Sequence, residues 1–269
     1  MVFGRDGFIR EISRGGRNLL KEGESIRPSF WRAPTDNDFG ASLQTKFEAW
    51  HNPDIRLVSI SSEVRRGVAC IFAEYRITHC GAALKMTYSI NGAGRIQIDE
   101  ELVPGTETGM APLFRFGLRV PLPKEVENLE YYGRGPWENY RDRCGSAALA
   151  VYRQTVSDQF YRYIRPQETG NKCDIRWMKL SDSAGHGLKV TSSEPFSASA
   201  LHYNVETLDE GSFKCNRHGG ELSEDNITCL LVDKVQMGLG CVNSWGEMPL
   251  EKDMLPFGQY KATFYIESL

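Results

Sequence analysis

The chain has 269 residues, 41% of them hydrophobic, and a formal net charge of −3 with a pI near 6.0, so it can bury a large core but offers no basic face for nucleic acid. No apolar run approaches the roughly 18 residues that a membrane-spanning helix needs, so no membrane partner is expected. The seven cysteines show no CxxC pair and no zinc spacing, which argues against a disulfide framework or a structural metal.

In chain order, Gly4 to Gly16 alternates weakly and reads as an opening hairpin. Such a start, as though mid-protein, suits one domain over residues 1–269 excised from a longer chain. Arg27 to Gly40 follows as RPSFWRAPTDNDFG. Pro28 and Pro34 disfavour a helix there, and Asp36, Asn37 and Asp38 suit Asx turns, so a fixed surface loop is predicted. Trp31 and Arg32 are the residue types that hold polyhydroxy ligands, although Phe30 and Trp31 also suit a core. One short helix is predicted directly behind this loop: Leu43, Phe47 and Trp50 share a face, Ser42 stands as its cap, and Pro53 marks its stop.

Period-two alternation dominates the rest. It is cleanest at Leu84, Met86, Tyr88 and Ile90, followed by the turn Asn91 to Gly94 and by Ile96 and Ile98, an antiparallel hairpin. Comparable runs lie at Arg56–Ser61, Val68–Thr78, Leu113–Val120, Ala147–Arg153, Leu188–Thr191, Ile227–Val235 and Tyr260–Ile266. Strands without intervening helices predict an all-β, antiparallel architecture and exclude a TIM barrel.

Three further stretches concentrate aromatic, glycine, amide and charged residues: YYGRGPWENYRDR from Tyr131 to Arg143, RPQETGNKCDIRW from Arg165 to Trp177, and VNSWGEMP from Val242 to Pro249. With FWRAPTDNDFG, in this order, the chain resembles the C-terminal domain of the large bacterial β-galactosidases of glycoside hydrolase family 2, from about Arg27 to the last strand. The resemblance implies an antiparallel supersandwich of the galactose mutarotase kind. It implies retaining hydrolysis of terminal β-galactosides by a parent whose catalytic glutamates sit in a separate barrel, with magnesium and sodium held in other domains and no cofactor in this chain. The expected partners are that upstream barrel and a galactoside, and the parent can be a homo-oligomer. The compartment stays open between bacterial cytoplasm and periplasm.

Carried over residue by residue, the resemblance makes Trp245 the platform for the leaving-group or acceptor sugar, and Gly40, Ala41 and Ser42 a mobile loop with Gly40 as its hinge. Arg32, Asp36, Asn37 and Asp38 match the motif before that loop and are expected to brace it rather than touch sugar. A structural role is expected for Tyr131, Arg134, Trp137, Glu138, Asn139 and Asp142. Arg141 departs from the proline many relatives carry there.

No catalytic residue is assigned. Glycoside hydrolysis needs two facing carboxyls, about 5 Å apart for retention, and the candidates Glu138, Glu168 and Glu247 stand in turn-like contexts where carboxylates face water. Asp36 to Asp38 fails as a calcium loop because Phe47 stands where its last glutamate belongs, and the five histidines form no ligand pair, so no metal site is expected. Two other readings remain: a self-sufficient mutarotase-like epimerase, which needs only an acid and a base, and a free-standing sugar-binding module.

Overall fold

The structure, a computed structural model, describes residues 1–215, 217–240, 243 and 246–269. Trp245, with Cys241, Val242 and Ser244, therefore lies outside the described residues. The chain opens with two small hairpins, β1 (Val2–Phe3) with β2 (Ile9–Glu11) and β3 (Ser13–Arg14) with β4 (Arg17–Asn18). Then come β5 (Arg27–Ser29), α1 (Asp36–Gly40) and α2 (Leu43–Lys46). The strands β6 (Ile55–Arg65), β7 (Val68–Ile77), β8 (Ala82–Ile90) and β9 (Ile96–Val103) form a meander. After β10 (Arg115–Leu122) come β11 (Asn128–Gly135), β12 (Ala148–Thr155), β13 (Lys172–Ser181), β14 (Gly187–Leu201), a short α3 (Val205–Leu208), β15 (Thr228–Gln236) and β16 (Tyr260–Ser268).

The predicted all-β antiparallel class is what the structure shows. Twelve strands form one network that runs β12-β11-β13-β14-β16-β9-β8-β7-β6 and forks at β14. The first part of β14, Leu188 to Ser192, pairs with β16, and its last part, Ser197 to Leu201, pairs with β15, which leads on to β10 and β5. Between the two halves stands Pro195, which has no ladder donor to offer and suits a divergence point. The two layers of the sandwich are thus joined through one bent strand.

The layers close on one large apolar core, with two small clusters beside it, around Leu201 and Tyr203 and around Ile227 and Leu231. Phe116 of β10 lies 5.4 Å from Tyr260 of β16, and Phe196 meets Phe264 edge-on at 6.0 Å. Alternation places Leu84, Met86 and Tyr88 inside as predicted, and in the β8–β9 turn the Asn91 side-chain oxygen accepts from the amides of Ala93 and Arg95, both at 3.0 Å. β10 and β15 are enclosed on both faces, which explains their near-continuous apolar runs.

The predicted loop over Asp36 to Gly40 is instead a helical turn. Thr35 caps it, its hydroxyl accepting from the Asp38 amide at 3.2 Å while Asp38 Oδ2 accepts from the Thr35 amide at 2.8 Å, a reciprocal capping box that outweighs the prolines preceding it. The single helix predicted behind it is split into α2, of four residues, and a 3-10 turn over Glu48–Trp50, and Leu43, Phe47 and Trp50 are all buried. Ser42 takes the cap position in a left-handed conformation (φ 59°), but its side chain makes no capping bond. Strands β11 and β13 fall on the YYGRGP and KCDIRW stretches, where motif residues mask the alternation.

Candidate functional site

At one end of the sandwich the capped α1 turn, the end of β15 and the YRDR segment meet. Arg32, fully enclosed, donates through Nε and Nη2 to the two carboxylate oxygens of Asp38 at 3.0 and 2.7 Å. It also donates to the carbonyls of Met237 at 2.7 Å and Gly238 at 3.1 Å, just past β15. Its guanidinium lies over the Phe114 ring at 4.6 Å. One planar fork thereby ties α1 to the segment that leads toward residue 241.

The other motif residues reinforce the same joint. Asn37 Nδ2 donates to the Leu239 carbonyl at 3.3 Å, and Asp142 Oδ2 accepts from the Gly240 amide at 3.0 Å. Asp36 stays exposed and pairs with Lys214 at 2.6 Å and Arg165 at 3.4 Å. Gly246 returns the chain against α1: with φ +90°, an added Cβ would stand 2.1 Å from the carbonyl carbon of Gly40 and 2.3 Å from the Ala41 amide nitrogen. Only a residue without a side chain fits there. Gly40 ends α1 in helical conformation, Ala41 is buried behind it, and Ser42 is exposed. The chain up to Gly240 is therefore held by Asn37 and Asp142, and Gly246 lies directly against Gly40 and Ala41.

Trp31 is no open platform. Its ring is buried, stacks on His51 at 4.8 Å and meets Phe114 edge-on, and its indole nitrogen donates to Asp209 at 2.7 Å. Within YYGRGPWENYRDR, Asn139 is buried and holds three backbone groups, donating to the carbonyls of Arg134 and Trp137, both at 3.1 Å, and accepting from the Cys173 amide at 2.9 Å. Trp137 itself departs from the structural role expected for it, because 56% of it is exposed.

The turn carboxylates also differ from the sequence reading. Glu138 is nearly enclosed and accepts from Arg143 at 2.6 Å, Thr169 at 3.0 Å and the Gly170 amide at 2.9 Å, as well as from the Tyr163 hydroxyl. Glu168 is buried against Arg115 at 2.9 Å; only Glu247 faces solvent. Arg115, and its pairing with Glu168, escaped the sequence analysis. The visible signal was a charged residue inside the apolar run LFRFGLRV, where an unpaired arginine would be untenable.

The β-galactosidase small-chain family pattern matches residues 2–266. This chain belongs to that family. It is 34% identical over 245 residues to the β-galactosidase of Lactobacillus delbrueckii subsp. bulgaricus, covering 90% of this chain and 23% of the relative. With the β-galactosidase of Priestia megaterium the identity is 32% over 231 residues, covering 84% of this chain and 21% of the relative. The small-chain domain thus spans less than a quarter of the length of these curated relatives. Among solved structures, an aldose 1-epimerase homologue from Escherichia coli superposes with a TM-score of 0.49 at 11% identity, over 98% of this chain and 93% of its own.

Proposed function

We propose that this domain forms one wall of the galactoside site of a larger β-galactosidase, whose retaining hydrolysis is carried out by carboxylates outside residues 1–269. In this reading Trp245 is the platform under the leaving-group or acceptor sugar, and the Gly40–Ser42 turn beside it moves as the sugar shifts depth. Arg32 and Asp38 hold the fixed end of that turn. The domain's partners are then the barrel that supplies the acid and nucleophile and the galactoside between them, and any magnesium or sodium ion the enzyme uses is held elsewhere.

The observation that carries this reading is the seating of Gly246 on the Gly40–Ala41 peptide, which brings two separate family motifs into one surface. The chemistry agrees. Glu138 is held by internal partners on both oxygens and Glu168 is buried against Arg115, which leaves neither presented to a sugar as acid or nucleophile. The test is kinetic: the purified chain alone should not turn over a nitrophenyl β-galactoside, and in the longer enzyme Trp245→Ala should raise KM and slow transfer to acceptor sugars. Turnover by the isolated chain, abolished by changing Glu138, Glu168 or Glu247, would overturn the proposal.

A further inference from the structure

A concavity of about 640 Å³ opens at the ends of β11, β12 and β13. Trp137, Tyr161 and Tyr163 supply aromatic wall, and Glu138, Arg143 and Lys172 supply polar floor. Trp137 and Tyr161 are 56% and 60% exposed, and the Tyr161 and Tyr163 rings pack 4.6 Å apart.

What distinguishes this cavity from an ordinary surface dip is that its frame is fixed while its faces are left open. Asn139 anchors the backbone carbonyl of Trp137 at 3.1 Å, so the indole projects from a held loop. Glu138 is clamped by Arg143, Thr169 and the Gly170 amide, which in turn holds the Arg143 fork at the rim. Lys172 is buried, and Gly170 O at 3.1 Å is the one acceptor its ammonium has among the described residues, although it carries three N–H donors. Burial pushes the Lys172 amine down to about 8, as expected where compensation is incomplete.

The charges that line the cavity, Arg143 and Lys172 against Glu138 and Asp158, balance, so the field favours no ion of either sign. A preformed concavity with an exposed flat ring and spare N–H donors fits a ligand with apolar faces and many hydroxyls. We propose that this cavity is a binding subsite for a neutral oligosaccharide, stacked on Trp137 and hydrogen-bonded by Lys172 and Arg143. It is built from motif residues that the galactoside wall does not use.

The test is saturation-transfer NMR and calorimetry on the 269-residue chain, with lactose and cellobiose as probes. Saturable millimolar binding of at least one is expected. Trp137→Ala should weaken it roughly tenfold or more with an unchanged circular dichroism spectrum, because the ring is exposed. Tyr161→Ala should weaken it less, and Trp245→Ala should leave it intact. No binding of either sugar by the unaltered chain, binding that survives Trp137→Ala, or binding lost with Trp245→Ala alone would each overturn the proposal; the last would place the ligand at the galactoside wall instead.

Discussion

Arg32 and Arg115 are both fully enclosed, yet they are held in opposite ways. Arg32 spends its donors on both oxygens of Asp38 and on two carbonyls. Among the described residues the Arg115 side chain makes one hydrogen bond, to Glu168 at 2.9 Å, while Asp233 stays 3.6 Å away. Its Nε and Nη1, both Asp233 oxygens and both Glu100 oxygens have no hydrogen-bond partner among the described residues. The first arrangement fixes one geometry for a loop next to the candidate site. The second sets two carboxylates, Glu168 and Asp233, against one cation, with Asp233 acting on Glu100 in turn, and the state of ionisation must adapt to the shortage of partners.

The largest expected effect breaks the satisfied site. Arg32→Ala leaves Asp38 buried without its cation and frees the Met237 and Gly238 carbonyls, and should cost about 3–5 kcal/mol in urea unfolding. A loss below about 1 kcal/mol, the range of a surface pair, would mean that the fork is incidental.

The second prediction tests the unsatisfied cluster through pH. Burial, and then the neighbouring Glu168, push the Asp233 carboxyl up to about 7 although Arg115 pulls it down; burial and then Asp233 hold Glu100 well above the usual carboxylate range. A folded-state value above the unfolded one means that the native chain binds the extra proton. The stabilisation is therefore complete below about pH 4 and is lost as pH rises through 7. Asp233→Asn should remove roughly 2–4 kcal/mol of that pH dependence between pH 4 and 8, making the variant relatively more stable at pH 8. An equal change at both ends would instead show that Asp233 acts as a permanently charged partner of Arg115.

The contrast also explains what was legible in the sequence. Alternation exposed β8 and β9 directly because each has one wet face, and the Leu43, Phe47, Trp50 face showed the helix. The turn at Asp36 was hidden: its residues suit Asx turns as well as a capping box, and only the three-residue spacing of Thr35 and Asp38 separates the two. Strands β11 and β13 were masked because their residues serve the loops around Asn139 as well as the ladder. At the candidate site the motifs could be read one by one, but their meeting could not, since Gly246 and Gly40 are far apart in sequence and touch through backbone alone.

Gly246→Ala sharpens that point. The added methyl cannot coexist with the Gly40–Ala41 peptide at its present distance, and φ +90° is unfavourable for alanine, so a local cost of about 1–3 kcal/mol is expected. It should appear as roughly tenfold faster hydrogen exchange at the Gly40, Ala41 and Ser42 amides, with the exchange of β8 and β9 unchanged. Unaltered exchange at the turn would separate the two motifs and remove the support for a shared surface.

The smallest effect concerns the cap. Thr35→Ala deletes one half of the reciprocal bond but leaves the Asp38 carboxylate to its stronger partners, Arg32 at 3.0 and 2.7 Å and the Thr35 amide at 2.8 Å. A loss of about 1 kcal/mol is therefore expected, well short of that for Arg32→Ala. If the two variants cost the same, the helical turn rather than the buried ion pair organises this end of the sandwich, and the Arg32 fork would follow from the cap instead of setting it.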